Sequence, residues 1–427
     1  MLFLLVIAFI LVMPLVNVIG PTVMLTPPAL VGAALLGWLV LIRRFRVDTL
    51  YLVLLSICIV CFLPWIWSAP YLTRATFVHA AGILVAITIY YAGARCGLGE
   101  VMRVRGPRPV FVVLYASLLG TSVFILLEVV ASNWLGVDLN TWIPYVEVTD
   151  FRAQILGAYM RPRGFATEPG VMALFYDFSL FFVLPLLRER GYRLGYVAVV
   201  LPAYLLLMSA ASLLSCAIVG AALVARGLWR RFCSTGLRVA LVAGVIVLVA
   251  VRFWDALAVV GSEIIGGRLA AFVGGSAGES GIERVQRYQE LAELLAVRPF
   301  GIGFGITPGL QDVGGIYEGI ALAPGQISLY GAFATAGGPL AALSLAAAIA
   351  WAYWRAARVP VLGVPVAAGG VAVSVHHLFV TEYWLPFFWF ALAMAVALAS
   401  SHRGVSARVT SGGSRDVESG GLTHGVF

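Results

Sequence analysis

The chain alternates between long apolar runs and short polar breaks that carry arginine. Runs of about 17–25 apolar residues can cross a bilayer as helices. They fall near 2–20, 26–42, 49–67, 77–93, 110–131, 169–187, 239–260, 326–354, 359–378 and 383–400. A further stretch, 194–225, is apolar over 32 residues, long for one span and short for two. Arginines cluster at 43–46, 95–108, 188–193, 226–238, 355–358 and 403–415. Short Arg-rich loops stay in the cytoplasm, and all six clusters share one side only if 194–225 is a hairpin of two short helices breaking near Ser209–Ser212. The pattern predicts an all-α polytopic membrane protein of about twelve transmembrane helices with both termini cytoplasmic.

On this reading, residues 1–400 form a single transmembrane domain. The Gly/Ser-rich 401–427 is expected to be a disordered cytoplasmic tail. Two segments, 132–168 and 261–325, face outward and are longer than turns, which makes them candidates for function. The opening MLFLLVIAFILVMPLV has neither a basic start nor a small-residue cleavage site, so it reads as a first transmembrane helix rather than a removable signal.

Composition agrees. Of 427 residues, 61% are apolar and 11% charged, against about 45–50% and 25% in soluble domains, which excludes a water-soluble globule. The net charge of +8 is carried by arginine without any lysine. No polar domain concentrates it, so no nucleic-acid partner is predicted. Cys58 and Cys61 form a C-x-x-C inside a hydrophobic helix, which reads as packing rather than redox chemistry.

Candidate chemistry concentrates in the outer segments. The first ends in RPRGFATEPG, where Thr167, Glu168 and Pro169 suit a helix start, with a capping hydroxyl, an early acid and a proline at the first turn. Helix opening leaves Arg161 and Arg163 unexplained. Arginine at the outer interface gains nothing from the positive-inside rule but offers a fixed donor fork for diphosphate or carboxylate, with a structural ion pair as the alternative. The second outer segment holds Val285, Tyr288, Leu291, Leu294 and Leu295 at helical spacing, with Glu283, Arg284, Arg287, Glu290 and Glu293 on other faces. It is expected to be an amphipathic helix on the outer surface, stopped at Arg298-Pro299 and followed by Gly301, Gly303 and Gly305. Glu128 and Asp177 lie within apolar runs, where an acid is costly and is read first as functional. His376 and His377 fall near Glu382 without a third ligand, so no metal site is predicted and a proton-transfer or supporting role stays open. His79 reads as core.

These residues resemble a family. Arg161-x-x-Gly164 with Pro169 opening the next helix is similar to the signature of the bacterial O-antigen polymerase and O-antigen ligase superfamily. So is Arg284, followed by Pro299 and GIGFG, and so is ISLYGAFATAGGPLAAL at 327–343. The resemblance spans roughly residues 110–400. It implies an inner-membrane glycosyltransferase that moves glycan from a polyprenyl-diphosphate carrier on the outer face, with inversion, without metal or other cofactor.

Carried over, Arg161 and Arg284 would contact the diphosphate and Arg163 and Arg287 would support them. Glu168 is the candidate general base, with helix-dipole pairing as its alternative. Gly303, Glu318 and Gln326 are further substrate-binding candidates. The ligase branch has a histidine late in the second outer loop; here Gly261 to Ser328 holds none, which favours the polymerase branch. The partners implied are a polyprenyl-diphosphate-linked oligosaccharide and membrane lipid, with a chain-length regulator protein left open. A ligase and a twelve-helix transporter of a lipid-linked sugar or small solute are the alternatives.

Overall fold

The computed structural model describes residues 1–18, 26–143, 155–156, 159–207, 209–232, 279–310, 316–317, 320–321 and 328–411. Within them the chain is an all-α assembly of apolar helices, with two-residue strands only in its loops. Helices α1 (Leu2–Val12), α2 (Pro27–Leu41) and α3 (Thr49–Phe62) are followed by α4 (Arg74–Arg105), which contains a π-helical stretch at Ala86–Gly93, and by α5 (Arg108–Trp134). Next come α6 (Pro169–Phe182), α7 (190–206, with a π-helical turn at Tyr196–Val200) and α8 (Ala210–Phe232). The last four are α9 (Glu279–Val297), α10 (Leu329–Ala356), α11 (Gly363–His376) and α12 (Pro386–Ser411). Four segments, Thr49–Ile66, α4, α5 and Leu329–Ala357, are long and apolar enough to cross a bilayer.

Local chemistry sets several boundaries. The first helix stops at Val12, short of the expected residue 20, because Pro14 cannot continue it. The break expected near Ser209–Ser212 is present: α7 ends at Leu206 and α8 begins at Ala210. At the far end α12 runs to Ser411, ten residues past the expected start of the disordered tail. The expected helix at 239–260 lies outside the described residues, as do 261–278 and 412–427.

Two helices make the centre. Every residue of α12 from Phe387 to Ala395 is at most 1% exposed, and α6 is buried on nearly every face. A helix apolar all round belongs in the interior. Helix α11 crosses α6 closely because Gly369 leaves room: a Cβ there would overlap the Phe178 carbonyl and the Phe182 ring. This crossing puts the end of α11 beside the third turn of α6.

Three arginine clusters gather at one end of the bundle. Arg95 pairs with Asp48 at 3.2 Å, Arg44 with Glu100 at 3.8 Å, and Arg108 with Glu189 at 2.5 Å. Helix α5 then carries the chain to the opposite end, where the candidate site lies.

A kink in α10 organises that end. Gly337 and Gly338 leave helical geometry (Gly338 at φ 75°, ψ 177°) and Pro339 follows. The carbonyl of Thr335 loses its helical partner because Pro339 has no N–H, and the kink releases Ala336 as well. The segment after α9 replaces both bonds: Ile302 N–H donates to Thr335 O at 2.8 Å and Gly303 N–H to Ala336 O at 3.0 Å. Phe304 N–H donates to Cys61 O at 2.9 Å, tying α3 into the same clamp. The close approach requires glycine on both sides. Gly301 has φ 79° and its Cβ would lie 2.6 Å from the Ala336 carbonyl.

Candidate functional site

The RPRG segment is held from below by Glu128 of α5. Its carboxylate accepts from the backbone N–H of Arg163 at 3.2 Å and of Gly164 at 2.8 Å. Gly164 sits at φ 60°, where only glycine is unstrained. The intramembrane acid singled out by sequence is therefore an anchor for the arginine motif, and Phe165 stacks on Phe124 of the same helix at 4.2 Å.

Neither arginine of the motif lies on the surface. Arg161 is 6% and Arg163 1% exposed. Arg161 donates from Nη2 (2.7 Å) and Nε (3.3 Å) to the carbonyl of Leu207, at the break between α7 and α8. The break exposes carbonyls that the helix no longer satisfies, and Arg161 meets one of them. The fork expected at the outer interface is thus a buried one, spent in part on the protein's own backbone.

Glu168, not Thr167, is the N-cap of α6, and its side chain makes no capping bond. The expected capping hydroxyl is not used. Glu168 is half-exposed, and its charge is felt by Glu382, which arrives from the far end of the chain in the loop between α11 and α12. Burial pushes the Glu382 carboxyl above the usual carboxylate range and the negative charge of Glu168 adds to this, while its own backbone amides and His376 pull the other way. Its Oε2 is enclosed and has no hydrogen-bond partner among the described residues.

About two and a half turns further along α6, Asp177 meets His376, the last residue of α11. Both side chains are at most 1% exposed, with Asp177 Oδ2 2.5 Å from His376 Nδ1. Asp177 Oδ1 accepts a short bond from the Ser212 hydroxyl and lies 3.7 Å from Cys216 Sγ, both in α8. Tyr204 OH is 3.0 Å from Ser212 Oγ. His377 Nδ1 is 2.8 Å from Val373 O. His79, expected as core, is half-buried and hydrogen-bonded to Tyr383 next to Glu382.

The amphipathic helix expected in the second outer segment is α9. Leu294 is fully buried and Leu291 and Leu295 are half-buried. Tyr288 OH donates to Leu378 O at 3.0 Å, in the loop that continues to Glu382. Arg284 and Arg287 precede Tyr288 in α9; their side chains lie outside the described residues, but the helix that bears them docks on the His376–Glu382 loop.

Gly303 is given a packing role. It bonds Ala336 and a Cβ would overlap the Trp65 ring, which accounts for it without a ligand. Glu318 and Gln326 lie outside the described residues. The hairpin around Glu318, Ile316–Tyr317 with Ile320–Ala321, is pinned by Tyr317, whose OH is 2.8 Å from Ser68 Oγ.

The sequence places His376 near Glu382 and marks Glu128 and Asp177 as separate acids. It does not show the pairing of Asp177 with His376 or of Glu128 with the Arg163 and Gly164 amides, nor the partners Leu207 and Ser212, for which the helix break is the available signal. Among the described residues, no three His, Cys, Asp or Glu side chains are grouped to hold a metal ion. No family model matches the chain, and no curated protein or solved structure is similar to it.

Proposed function

We propose that this chain is a bacterial inner-membrane glycosyltransferase that polymerises polyprenyl-diphosphate-linked oligosaccharide repeat units on the outer face of the membrane. It would have twelve spans and both termini in the cytoplasm. The observation that carries the reading is a convergence at one end of the bundle. The Arg161–Glu168 segment, the His376–Glu382 loop and the helix bearing Arg284 and Arg287 come from distant parts of the chain and meet there. Permanent cations together with a carboxylate are what the reaction needs. The arginines meet charge developing on a leaving diphosphate, and a carboxylate accepts the proton of the attacking hydroxyl. Since Arg161 is partly engaged with Leu207 O, Arg284 and Arg287 take the larger share of the diphosphate contact, and Glu168 at the mouth of α6 orients the acceptor hydroxyl.

The test is the size distribution of surface polysaccharide on a gel after the gene is deleted. Collapse of a ladder to a single attached repeat is expected. Loss of attached glycan with lipid-linked polymer accumulating would make the chain a ligase instead. A transporter reading draws on one observation, the buried Asp177–His376 pair between helices, and an unchanged ladder would favour it.

A further inference from the structure

A groove runs along α10 and α11, and the proposed transfer reaction does not use it. Its volume is about 440 Å³, within the range of small-molecule sites. Tyr353 of α10 sits against Gly370 of α11, where its ring leaves no room for a Cβ, and Ala350, Trp354 and Val371 line the groove beside it. The wall is apolar. Ser374 Oγ donates to Gly370 O at 2.7 Å, Tyr330 OH donates to Ser374 O at 3.3 Å, and the Tyr353 OH is enclosed. On α10 the groove extends from Ala346 to Ala357. At 1.5 Å per residue that is about 16 Å, close to half of the roughly 30 Å hydrocarbon core and so to the reach of one acyl chain.

Charge stands at one end only. Gly363 N–H donates to Val359 O at 3.1 Å, so α11 starts against the end of α10 and runs from there to His376. Arg355 and Arg358 lie at that starting end, away from the His376–Glu382 loop. They are the only Asp, Glu, Lys or Arg residues between Glu318 and Glu382. Each guanidinium is stacked on a tryptophan one turn back, Arg355 over Trp351 at 4.4 Å and Arg358 over Trp354 at 3.5 Å from the ring centroid. Trp354 is itself a wall of the groove and is 55% exposed. The positive-inside bias asks only for charge on this side. Stacking on the groove's own wall does more. It fixes the plane of the guanidinium and uses its face, not its in-plane N–H donors. Among the described residues, those of Arg358 have no carboxylate partner.

We propose that this groove binds one anionic phospholipid. Its phosphate takes the fork of Arg358, with Arg355 adding charge beside it, and one acyl chain lies along α10 and α11. An acyl chain suits a wall that has no polar atom left to satisfy. A phosphate suits two stacked cations with no acid in the surrounding sequence. The lipid belongs to the leaflet at the arginine end, opposite the mouth where the lipid-linked substrate is handled, and its binding does not depend on the glycosyltransferase activity.

The test is native mass spectrometry of the full-length protein in a neutral detergent, with phosphatidylglycerol or phosphatidylcholine of equal chain length added. Phosphatidylglycerol should fill one site, and phosphatidylcholine should bind about 25-fold more weakly, the scale of two arginines at about 5-fold each. Arg358→Gln should weaken phosphatidylglycerol by about 5-fold. Ala350 is exposed, so Ala350→Phe fills the groove without disturbing the core, and it should weaken both lipids. Phosphatidylglycerol with six-carbon chains should bind the wild type poorly. Equal binding of the two headgroups, or unchanged affinity in Arg358→Gln, overturns recognition of the phosphate. Unchanged affinity in Ala350→Phe overturns the groove and leaves lipid adsorbed on a basic surface; if that variant fails to accumulate, equal binding of short and long chains by the wild type overturns it instead. Absence of any bound lipid means that another part of the chain covers the groove, and the proposal fails. Tighter binding of polyprenyl phosphate than of phosphatidylglycerol at the same site would give the groove to the carrier lipid and likewise overturn the assignment.

Discussion

Substituting Gly338 by alanine probes the clamp that fixes where α9 lies. At φ 75° and ψ 177° Gly338 occupies backbone space open essentially to glycine alone, and forcing another residue there costs about 1–3 kcal/mol. The new Cβ would also overlap the carbonyl oxygen of Pro299, so the segment after α9 must move away from α10. That movement breaks the bonds from Ile302 and Gly303 to Thr335 and Ala336, each worth about 0.5–1.5 kcal/mol. Together these give a loss of about 2–6 kcal/mol. The assay is the thermal midpoint in detergent, read by fluorescence-detected size exclusion, with Gly37→Ala as control. A Cβ at Gly37 meets nothing within 4 Å, and the change from glycine in a helix should be neutral or stabilising by up to about 1 kcal/mol. A Gly338→Ala midpoint equal to wild type would refute the clamp. The substitution should also lower polymerisation, because Arg298 to Gly305 connects the helix bearing Arg284 to the core.

Other consequences follow from single groups. Glu382 has a raised folded pKa, so the folded state holds its proton where the unfolded chain has released it. Its burial therefore costs stability as pH rises from the unfolded value through the folded one. Glu382→Gln should accordingly gain more in thermal midpoint at pH 8 than at pH 5, and an equal gain at both would contradict the burial. Glu128→Gln leaves one amide oxygen to serve two backbone N–H groups. It should cost about 1.5–3 kcal/mol, and limited proteolysis should then cut faster near Gly164; an unchanged cleavage rate would show that Glu128 does not hold the loop. Arg284→Lys keeps the charge but not the bidentate fork, so activity should be lost while the protein accumulates in the membrane; glycan of normal length would remove Arg284 from the diphosphate. Glu168→Gln should polymerise poorly, and near-normal chains would reduce Glu168 to a helix-start residue.

Periodicity and composition alone determined the all-α apolar architecture, an apolar helix near residues 26–42, the break near Ser209–Ser212 and the amphipathic character of α9. Those features are local: a serine-rich interruption ends a helix, and apolar residues at helical spacing need a surface to cover. The burial of Arg161 and Arg163 was not legible, because a guanidinium looks the same in sequence whether it faces water or the carbonyl of Leu207. Nor was the meeting of Asp177 with His376, which are 199 residues apart in the chain. That contact depends on Gly369 letting α11 approach α6, and on a break in α7–α8 that turns Ser212 toward the carboxylate. Glu128 shows the same division. Sequence marks it as a costly acid inside an apolar run, while only the tertiary structure supplies the two backbone N–H groups that offset the cost. Long-range pairing follows from helix packing, and packing is set by which small residues meet, a property of pairs of helices that no single stretch of chain contains.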